Sequence, residues 1–477
     1  MGEARRGGSR PGRVLILCLL CLILLPSLRA LAEDNTPRLI ISMPKTVKGY
    51  TPCEIGIDSP FDGEAELRLL DLLENCWLVR KEPVIRGKNT ILWDGLGANG
   101  ERMFAGPYHF RVTVRGEDGT EAAGKAKFDI SGTTQTLVYA LPSSETLYLD
   151  KGEKWFVEVY VSAECTIAME ITDAQGQRAH YREYHISRVD GETLGWSGSL
   201  DSRNRIAPGN YSVRMWSKLN PDYEHTFPLT VEETTPPVPE VAVTGPVQPE
   251  RGMSDREIWE IMMKPSVVIA GNGSSRDFKL YAKQNANSRS VATLRCALQG
   301  LEVLDTEGAW AHVRAGNHEN GKETEGYLLL RTLTVLRPST HYGVLIDKRD
   351  QTLTVFRDGE RIGTVPVSTG LVTPGNPYRE TPAGAFLTDV HNGASFAQEG
   401  YRYEYPLRYD GVNFIHGLGF SRSGRARDYS DNLPLLGQKA SHGCVRVSSF
   451  LQDDNPINIY WLWSHLPYHT RVIILDD

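Results

Sequence analysis

Ser441-His442-Gly443-Cys444-Val445-Arg446 is the most informative stretch of this 477-residue chain. It places a thiol two residues after a histidine, with a glycine between them. A thiol attacks carbonyl carbon as its thiolate, so a nucleophilic cysteine needs an imidazole or a positive charge nearby. His416 lies upstream, near the end of the apolar segment Phe414-Ile415, from which it can approach Cys444 in space.

The flanking residues add two further requirements of acyl transfer. Gly443 allows a tight turn, and such a turn can aim successive backbone N–H groups at one point, as an oxyanion hole requires. Arg446 offers a planar fork of donors that suits a substrate carboxylate. Without its neighbours in the sequence, Cys444 would be interpreted as a buried structural thiol. Together, the residues indicate acyl transfer through a thioester.

Upstream strings extend the pattern over residues 339–477. Three predicted strands, Tyr342–Asp347, Thr352–Phe356 and Arg361–Val367, form an antiparallel meander. They are followed by Ser368-Thr369-Gly370, Thr381-Pro382-Ala383-Gly384 and Ile415-His416-Gly417. With the Ser-His-Gly-Cys-Val-Arg string, this region resembles the L,D-transpeptidase (YkuD-type) catalytic domain, which implies a β-sandwich with a minor helix.

The resemblance also implies roles for single residues. Cys444 corresponds to the nucleophile, His416 to the general base, and the carbonyl of Gly417 to the group that orients this base. The amides of His442, Gly443 and Cys444 would form the oxyanion hole. The substrate-binding positions are Ser441, His442 and Arg446.

Two departures from the family pattern affect the site. Many members of the family have asparagine at the position of Arg446, and one subgroup has arginine there, as this sequence does. The interval between His416 and Cys444 is longer than usual, so we expect residues 421–436 to form an inserted loop over the cleft. Both departures concern the preference for the acceptor rather than the chemistry.

The family activity is peptidoglycan cross-linking, with stem peptides as substrates and no metal or cofactor. An L,D-carboxypeptidase or hydrolase in which water is the acceptor stays open. Two further alternatives are a non-catalytic wall-binding scaffold, against which the intact Cys444, His416 and Arg446 argue, and a papain-like peptidase. In papain-like enzymes the cysteine precedes its histidine, whereas His416 precedes Cys444. His465 and His469 are separated by Pro467, which argues against a helical metal pair.

The composition limits the remaining possibilities. At about 100–200 residues per domain, the length corresponds to three or four domains. The 45 Gly and 27 Pro favour turns and short strands, so we predict a mainly β, multi-domain protein. The net charge is −7 and no long Lys/Arg tract occurs, which argues against nucleic-acid binding. The sequence does not indicate an oligomeric state.

Residues 1–32 have the pattern of an export signal. Four arginines precede the apolar run 14–25, and Ala30-Leu31-Ala32 has the small-x-small pattern of a cleavage site. The alternative is an uncleaved membrane anchor, although the run is shorter than the ~20 residues that a span needs. We therefore expect an exported protein at the cell wall, with no integral membrane domain after cleavage.

A repeat occupies the first half of the mature chain. Trp93 is followed by Gly106, Tyr108 and Arg111, and Trp196 is followed by Gly209, Tyr211 and Arg214 at the same intervals of 13, 15 and 18 residues. This spacing predicts two copies of one small β-sandwich, at 36–132 and 137–232. The motif resembles the immunoglobulin-like domain of flagellar-hook capping proteins, and we interpret both copies as spacers.

Two further segments separate the repeats from the catalytic region. Residues 233–266 read as a Pro-rich linker with a short helix that starts at Ser254 and ends near Pro265. Residues 267–337 contain short strands and resemble a bacterial SH3-like domain, which would act either as a connector or in stem recognition. Cys53 and Cys76 could form a disulfide or remain two buried thiols.

Overall fold

The computed structural model describes residues 38–477, except 50, 133–137, 151, 153, 188–190, 271–276, 296–297, 390, 392, 424–425 and 454. The leader predicted over 1–32 therefore lies outside the described residues. Strands dominate, as the turn-rich composition predicts. Within the described part of the chain, no helix is long and apolar enough to cross a membrane.

Residues 38–132 form two sheets whose strands alternate between buried and exposed side chains. The sheet orders are β1-β3-β6 and β2-β8-β7-β4-β5. The strands are β1 (Ile40–Ser42), β2 (Thr46–Lys48), β3 (Cys53–Ser59), β4 (Gly63–Asp71), β5 (Cys76–Val84), β6 (Gly87–Trp93), β7 (Gly106–Arg115) and β8 (Glu121–Ser131). Trp93 packs edge-on against Phe110 and Phe128 in the core between the sheets.

Residues 138–232 form a second pair of sheets, ordered β14-β11-β9 and β10-β16-β15-β12-β13. The strands are β9 (Val138–Pro142), β10 (Thr146–Tyr148), β11 (Trp155–Val161), β12 (Cys165–Asp173), β13 (Arg178–Ile186), β14 (Glu192–Trp196), β15 (Gly209–Ser217) and β16 (Asn220–Glu232).

The two tryptophans of the repeat motif make the same local bond. Trp93 Nε1 donates to the carbonyl of Leu96 at 2.8 Å, and Trp196 Nε1 donates to the carbonyl of Ser199 at 2.9 Å. The equal spacing in the sequence thus corresponds to equal local geometry. The assignment of the copies to an immunoglobulin-like family stays a prediction.

The predicted helix after the Pro-rich segment is confirmed. α1 (Asp255–Met262) has Ser254 as its N-cap, and Glu257 completes a capping box. Its buried face, Ile258 and Met262, packs against Phe356 and Ile473 of the C-terminal sheet. The segment is therefore attached to the C-terminal region rather than being a free linker.

Residues 266–336 form a five-stranded sheet, ordered β19-β18-β23-β22-β21, and the pair β17-β24. The strands are β17 (Ser266–Ile269), β18 (Phe278–Tyr281), β19 (Ser290–Leu294), β20 (Gln299–Gly300), β21 (Glu302–Glu307), β22 (Trp310–Gly316), β23 (Glu323–Leu329) and β24 (Leu333–Leu336). The SH3-like assignment stays a prediction.

The C-terminal region is built on a nine-stranded sheet, ordered β20-β28-β36-β25-β26-β27-β35-β32-β31, so β20 of the preceding segment completes its edge. Its own strands are β25 (Tyr342–Asp347), β26 (Thr352–Arg357), β27 (Glu360–Ser368), β28 (Gly384–Leu387), β29 (Ser395–Gln398), β30 (Tyr401–Glu404), β31 (Leu407–Arg408), β32 (Phe414–Gly417), β33 (Ser421–Ser423), β34 (Ala426–Asp428), β35 (Val445–Val447) and β36 (Arg471–Leu475). The predicted meander β25-β26-β27 is confirmed. A buried helix, α2 (Ile459–His465), contains Trp461, Leu462 and Trp463.

Residues 421–436, expected as an inserted loop over the cleft, carry regular structure, and Asn432 Oδ1 in this segment accepts a hydrogen bond from Arg446. They fold into the β33-β34 hairpin and a 3₁₀ turn, Leu433–Leu435. Tyr429 is fully buried in one apolar cluster with Trp93 and Phe110 of the first repeat. The physical reason is the apolar surface that the first repeat presents, which this insertion covers.

Cys53 and Cys76 are thiols, not a disulfide. The Cys53 thiol donates to the carbonyl of Glu54, and the Cys76 thiol donates to the carbonyl of Leu78, each at 3.6 Å. Burial raises the pKa of Cys53, which makes that thiol less reactive.

Candidate active site

The candidate nucleophile and base belong to neighbouring strands near one end of the large sheet. β32 and β35 run parallel, and the register pairs His416 with Arg446. Cys444 directly precedes β35, two residues before Arg446. Because side chains alternate along a strand, residues 444 and 446 share the face on which His416 lies. The topology therefore brings together three residues that the sequence singled out.

The turn that presents Cys444 is tied internally by hydrogen bonds. Gly443 N donates to Ser441 Oγ at 3.1 Å, and Ser441 Oγ donates in turn to the carbonyl of Cys444. The Gly443 carbonyl accepts from Thr381 Oγ1 at 2.9 Å and from the Tyr409 hydroxyl at 3.3 Å. Ser441 is 1% exposed, so its hydroxyl shapes the turn from within.

Gly443 is required by this geometry. Its φ is +117°, in the region that favours glycine, and a Cβ would lie 2.7 Å from Asn413 Oδ1. The backbone here is clamped between Thr381 and Tyr409 on one side and Asn413 on the other. The Gly443 amide already donates to Ser441 Oγ. The amides of His442 and Cys444 are therefore better placed to donate hydrogen bonds to a developing oxyanion.

His416 is held in one tautomer. It is 3% exposed, and its Nδ1 lies 2.7 Å from the Gly417 carbonyl, which requires the proton on Nδ1 and leaves the lone pair on Nε2. Phe396 and Tyr403 pack edge-on against the ring at centroid distances of 5.3 and 4.8 Å. Burial lowers the pKa of His416 to about 4, against the opposing effect of the Gly417 bond. The imidazole is a neutral proton acceptor at pH 7.

The thiol of Cys444 is also neutral in the resting protein. Burial raises its pKa to about 11, while a backbone hydrogen bond from Phe414 and the charge of Arg446 act in the opposite direction. The negative charge of Asp410 adds to the increase. Burial penalises the charged forms of both Cys444 and His416, so the neutral forms are favoured in the resting protein.

Arg446 lies inside the site rather than at its rim. It is 9% exposed, its Nη1 donates to Asn432 Oδ1 at 3.3 Å, and its guanidinium lies 5.9 Å from the centroid of the Tyr403 ring. Its Nε has no hydrogen-bond partner among the residues that the structure describes. A buried cationic donor without a partner is costly. An anionic group of a bound substrate would remove that cost.

His442 is the most exposed of the candidate residues. Its Nδ1 lies 3.8 Å from Glu399 Oε1, at the turn of the β29-β30 hairpin. Burial, assisted by Arg379, lowers its pKa. This side chain lies between the nucleophile turn and the hairpin, so it can touch a substrate that enters between them.

Several residues of the site were not found from the sequence. Tyr403 contacts His416 and faces Arg446, and it stacks on Phe396 across the β29-β30 pair. Asp410 and Asn413 lie behind the nucleophile turn. The only available signal was the aromatic alternation Tyr401, Tyr403, Tyr405, which predicts a strand but not a site.

Three further histidines belong to other parts of the fold. His391 is buried against α2, where its Nε2 lies 3.0 Å from the carbonyl of Trp463. His465 stacks on Trp461 in the last turn of the same helix. His341 pairs with Asp358 at 2.8 Å and with Glu145 of the second repeat at 3.5 Å.

Residues 341–474 match the family model of YkuD, the L,D-transpeptidase catalytic domain. The protein named as L,D-transpeptidase YciB in Bacillus subtilis (strain 168) is 25% identical over 138 residues, which is 28% of this chain and 66% of that relative. The match thus spans slightly less than two thirds of the relative's length.

Solved structures include further L,D-transpeptidases. One from Xylanimonas cellulosilytica is 27% identical, with 29% of this chain and 63% of that chain covered and a TM-score of 0.21. One from Mycobacterium tuberculosis H37Rv is 15% identical, with 45% of this chain and 92% of that chain covered and a TM-score of 0.23.

Proposed function

We propose that this chain, whose residues 341–474 form a YkuD-type L,D-transpeptidase catalytic domain, cross-links peptidoglycan stem peptides through an acyl-enzyme on Cys444. One observation carries the proposal. Cys444 directly precedes β35, the strand that pairs with β32, which carries a buried, neutral His416, and the Gly417 carbonyl fixes the tautomer that leaves Nε2 as a base. A nucleophile, a base and a group that orients the base are the requirement for covalent acyl transfer.

In the first half-reaction, His416 Nε2 accepts the thiol proton while Cys444 Sγ attacks the carbonyl carbon of the third, L-centred diamino residue of a tetrapeptide stem. The amides of His442 and Cys444 donate to the oxyanion. The tetrahedral intermediate then collapses, the C–N bond breaks, and His416 returns its proton to the D-Ala amine, which leaves.

In the second half-reaction, the side-chain amine of another stem is the acceptor. His416 takes a proton from this amine as it attacks the thioester, and Cys444 leaves as the thiol once it regains the proton. Arg446 would bind a carboxylate of the donor stem, since its buried Nε has no hydrogen-bond partner among the described residues. No redox change or cofactor enters these steps.

Because the proton transfer is coupled to attack, the mechanism does not need a standing thiolate. Burial that keeps Cys444 and His416 neutral also strengthens the amide–oxyanion interaction, since water competes less for the donors. The family role supports cross-linking as the outcome. Hydrolysis by water differs only in the acceptor.

The test is intact-protein mass spectrometry of the full chain with a carbapenem and, separately, with soluble tetrapeptide stems. We expect one acyl adduct that maps to Cys444, is absent in Cys444→Ser, and forms much more slowly in His416→Ala. A dimeric stem product indicates transpeptidation, and a tripeptide alone indicates hydrolysis. Labelling at Cys165 with Cys444 unmodified would refute the mechanism.

We further propose that the protein acts outside the cytoplasmic membrane, at the cell wall. The support is the match to a catalytic domain whose substrates are wall peptides, together with the arginine-flanked apolar run at the N-terminus. The immunoglobulin-like and SH3-like assignments belong to the same proposal. Detection of the protein in a wall fraction, and the mass of its N-terminal peptide, test export and cleavage separately.

A further inference from the structure

A buried polar chain lies behind the nucleophile turn. Asn413 packs its Oδ1 against Gly443, where a Cβ would be only 2.7 Å away. The amide of the same side chain donates from Nδ2 to Asp410 Oδ2 at 2.7 Å. Asp410 and Asn413 are 2% and 5% exposed. The position of the Gly443 backbone therefore depends on where the Asp410 carboxylate is held.

The Gly411 amide donates to the other carboxylate oxygen, Oδ1, at 2.5 Å, and one further partner of the carboxylate comes from outside the catalytic domain. His318, in the connection between β22 and β23, places Nδ1 3.3 Å from Asp410 Oδ2. The two side chains are 10% and 3% exposed. The backbone amide of His318 donates to the carbonyl of Thr293 at 2.9 Å, which fixes the residue to the 266–336 sheet.

The 266–336 segment and the catalytic domain are tightly packed around His318 and Asp410. A Cβ on Gly411 would lie 1.9 Å from the carbonyl oxygen of Arg295, and a Cβ on Gly316 would lie 2.0 Å from that of Ala383. The amide of Ala383 donates to the Gly321 carbonyl at 3.2 Å. Backbone from the two segments is thus in direct contact on both sides of His318, so a shift of one segment moves the other.

We propose that His318 is a positioning residue for Cys444: it holds the Asp410 carboxylate, and through Asn413 it sets the position of the Gly443–Cys444 backbone. The inference rests on the proposed function of Cys444 as nucleophile. It assigns a part in the reaction to the segment 267–337, which the sequence suggested as a connector or a recognition module. His318 itself touches neither the thiol nor the substrate.

Electrostatics supports the same link. The charge of Asp410 raises the pKa of Cys444, so the carboxylate acts on the thiol directly. The other charged groups around the pair are already engaged. Glu319 lies 3.8 Å from Lys279, and Arg295 lies 3.4 Å from Asp277. His318 is thus the side chain of the neighbouring segment that holds the carboxylate.

The experiment compares four single variants and one double variant, all of the full-length chain, with the wild type. His318→Phe keeps a ring but removes the polar contact, and His318→Asn restores an N–H donor near the Nδ1 position. Asp410→Asn removes the charge. The matched control is His312→Phe, in the same segment, where the imidazole faces Glu325 at 3.6 Å and stacks on Tyr327 away from the site.

Carbapenem acylation of Cys444, followed by mass spectrometry over a concentration series, separates the initial binding constant from the acylation rate constant. We expect His318→Phe to reduce the rate constant by about 10- to 100-fold with binding unchanged, as small misplacements of a nucleophile do. His318→Asn should recover most of the rate, and His312→Phe should match the wild type. Adding His318→Phe to Asp410→Asn should cause no further loss.

Thermal unfolding identifies variants that fail to fold. If His318→Phe is one of them, Asp410→Asn tests the link from its other end, because loss of the charge should lower the pH at which iodoacetamide alkylates Cys444. A wild-type rate constant in His318→Phe, equal losses in the Phe and Asn variants, or additive losses with Asp410→Asn would overturn the inference. If the wild type itself is not acylated, the proposed function fails instead.

Discussion

Raising the pH should accelerate alkylation of Cys444 continuously into the alkaline range, because the thiol and His416 form a neutral pair in the resting protein. The pKa of Cys444 is about 11 and that of His416 about 4. At about 1.36 kcal/mol per pKa unit, this gap disfavours a separated thiolate–imidazolium pair by about 9–10 kcal/mol. Two charges about 4 Å apart regain only about 4 kcal/mol at an effective dielectric of 20. The neutral pair remains favoured.

The same values set the size of the effect. Relative to a thiol at the ordinary value of 9.0, a pKa of about 11 lowers the thiolate fraction at pH 7 about 100-fold. A more basic thiolate is also more nucleophilic, which raises the rate constant of the thiolate about tenfold and offsets part of this loss. We therefore expect Cys444 to react about tenfold more slowly than a simple thiol at pH 7, with a rate that rises about tenfold per pH unit.

The assay is iodoacetamide alkylation between about pH 6 and about pH 10, quantified on the peptide that contains Cys444, with glutathione as the reference thiol. His416→Ala is the matched variant: it should leave this pH profile nearly unchanged while it abolishes most carbapenem acylation. The two readouts separate ionisation of the thiol from general-base catalysis. A rate that is constant from about pH 6 to pH 9, and that becomes pH-dependent in His416→Ala, would show a preformed ion pair and refute the reasoning.

Three further changes have defined outcomes. Arg446→Ala should raise the pKa of Cys444, because the Arg446 charge lowers it, and should reduce kcat/KM for stems by about 10- to 100-fold; alkylation profiles and stem kinetics measure the two effects. Gly443→Ala should destabilise the fold by about 1–3 kcal/mol and slow acylation. The control is Gly437→Ala, which also has a positive φ but faces open space. This control should lower stability in denaturant unfolding and leave the acylation rate unchanged. Deleting residues 36–232 should expose Phe420 and Tyr429 and yield a chain that aggregates in size-exclusion chromatography; a monomeric, active product would show that the repeats are dispensable.

Much of the catalytic centre could be predicted because its determinants are local. The string around Cys444 contains the nucleophile, the tight turn and the cationic fork within six residues, and the strand around Ile415 carries the base. Parallel pairing of two short apolar strands then brings these residues to one face. The two tryptophan repeats and the helix that starts at Ser254 could be predicted for the same reason, since local sequence specifies them.

Properties that depend on packing between distant segments could not be predicted. The direction of the pKa change at Cys444 follows from burial, and burial is set by segments far away in the chain. Tyr403, Asp410 and Asn413 belong to no motif, because each acts through a single contact. The packing of the insertion 421–436 was not predicted, since nothing in its own sequence shows that the first repeat offers a surface for Tyr429.

The repeats and the 267–337 segment were interpreted mainly as spacers or connectors, and their contacts argue for more. Asn458 accepts from the Trp461 amide as the N-cap of α2, and its Nδ2 donates to Glu101 of the first repeat at 3.0 Å. On the opposite side, β20 completes the edge of the large sheet. A spacer would leave the catalytic sheet with its own edge and its own caps. Here both are shared, so a displacement of either neighbouring module changes the elements on which Cys444 and His416 are mounted.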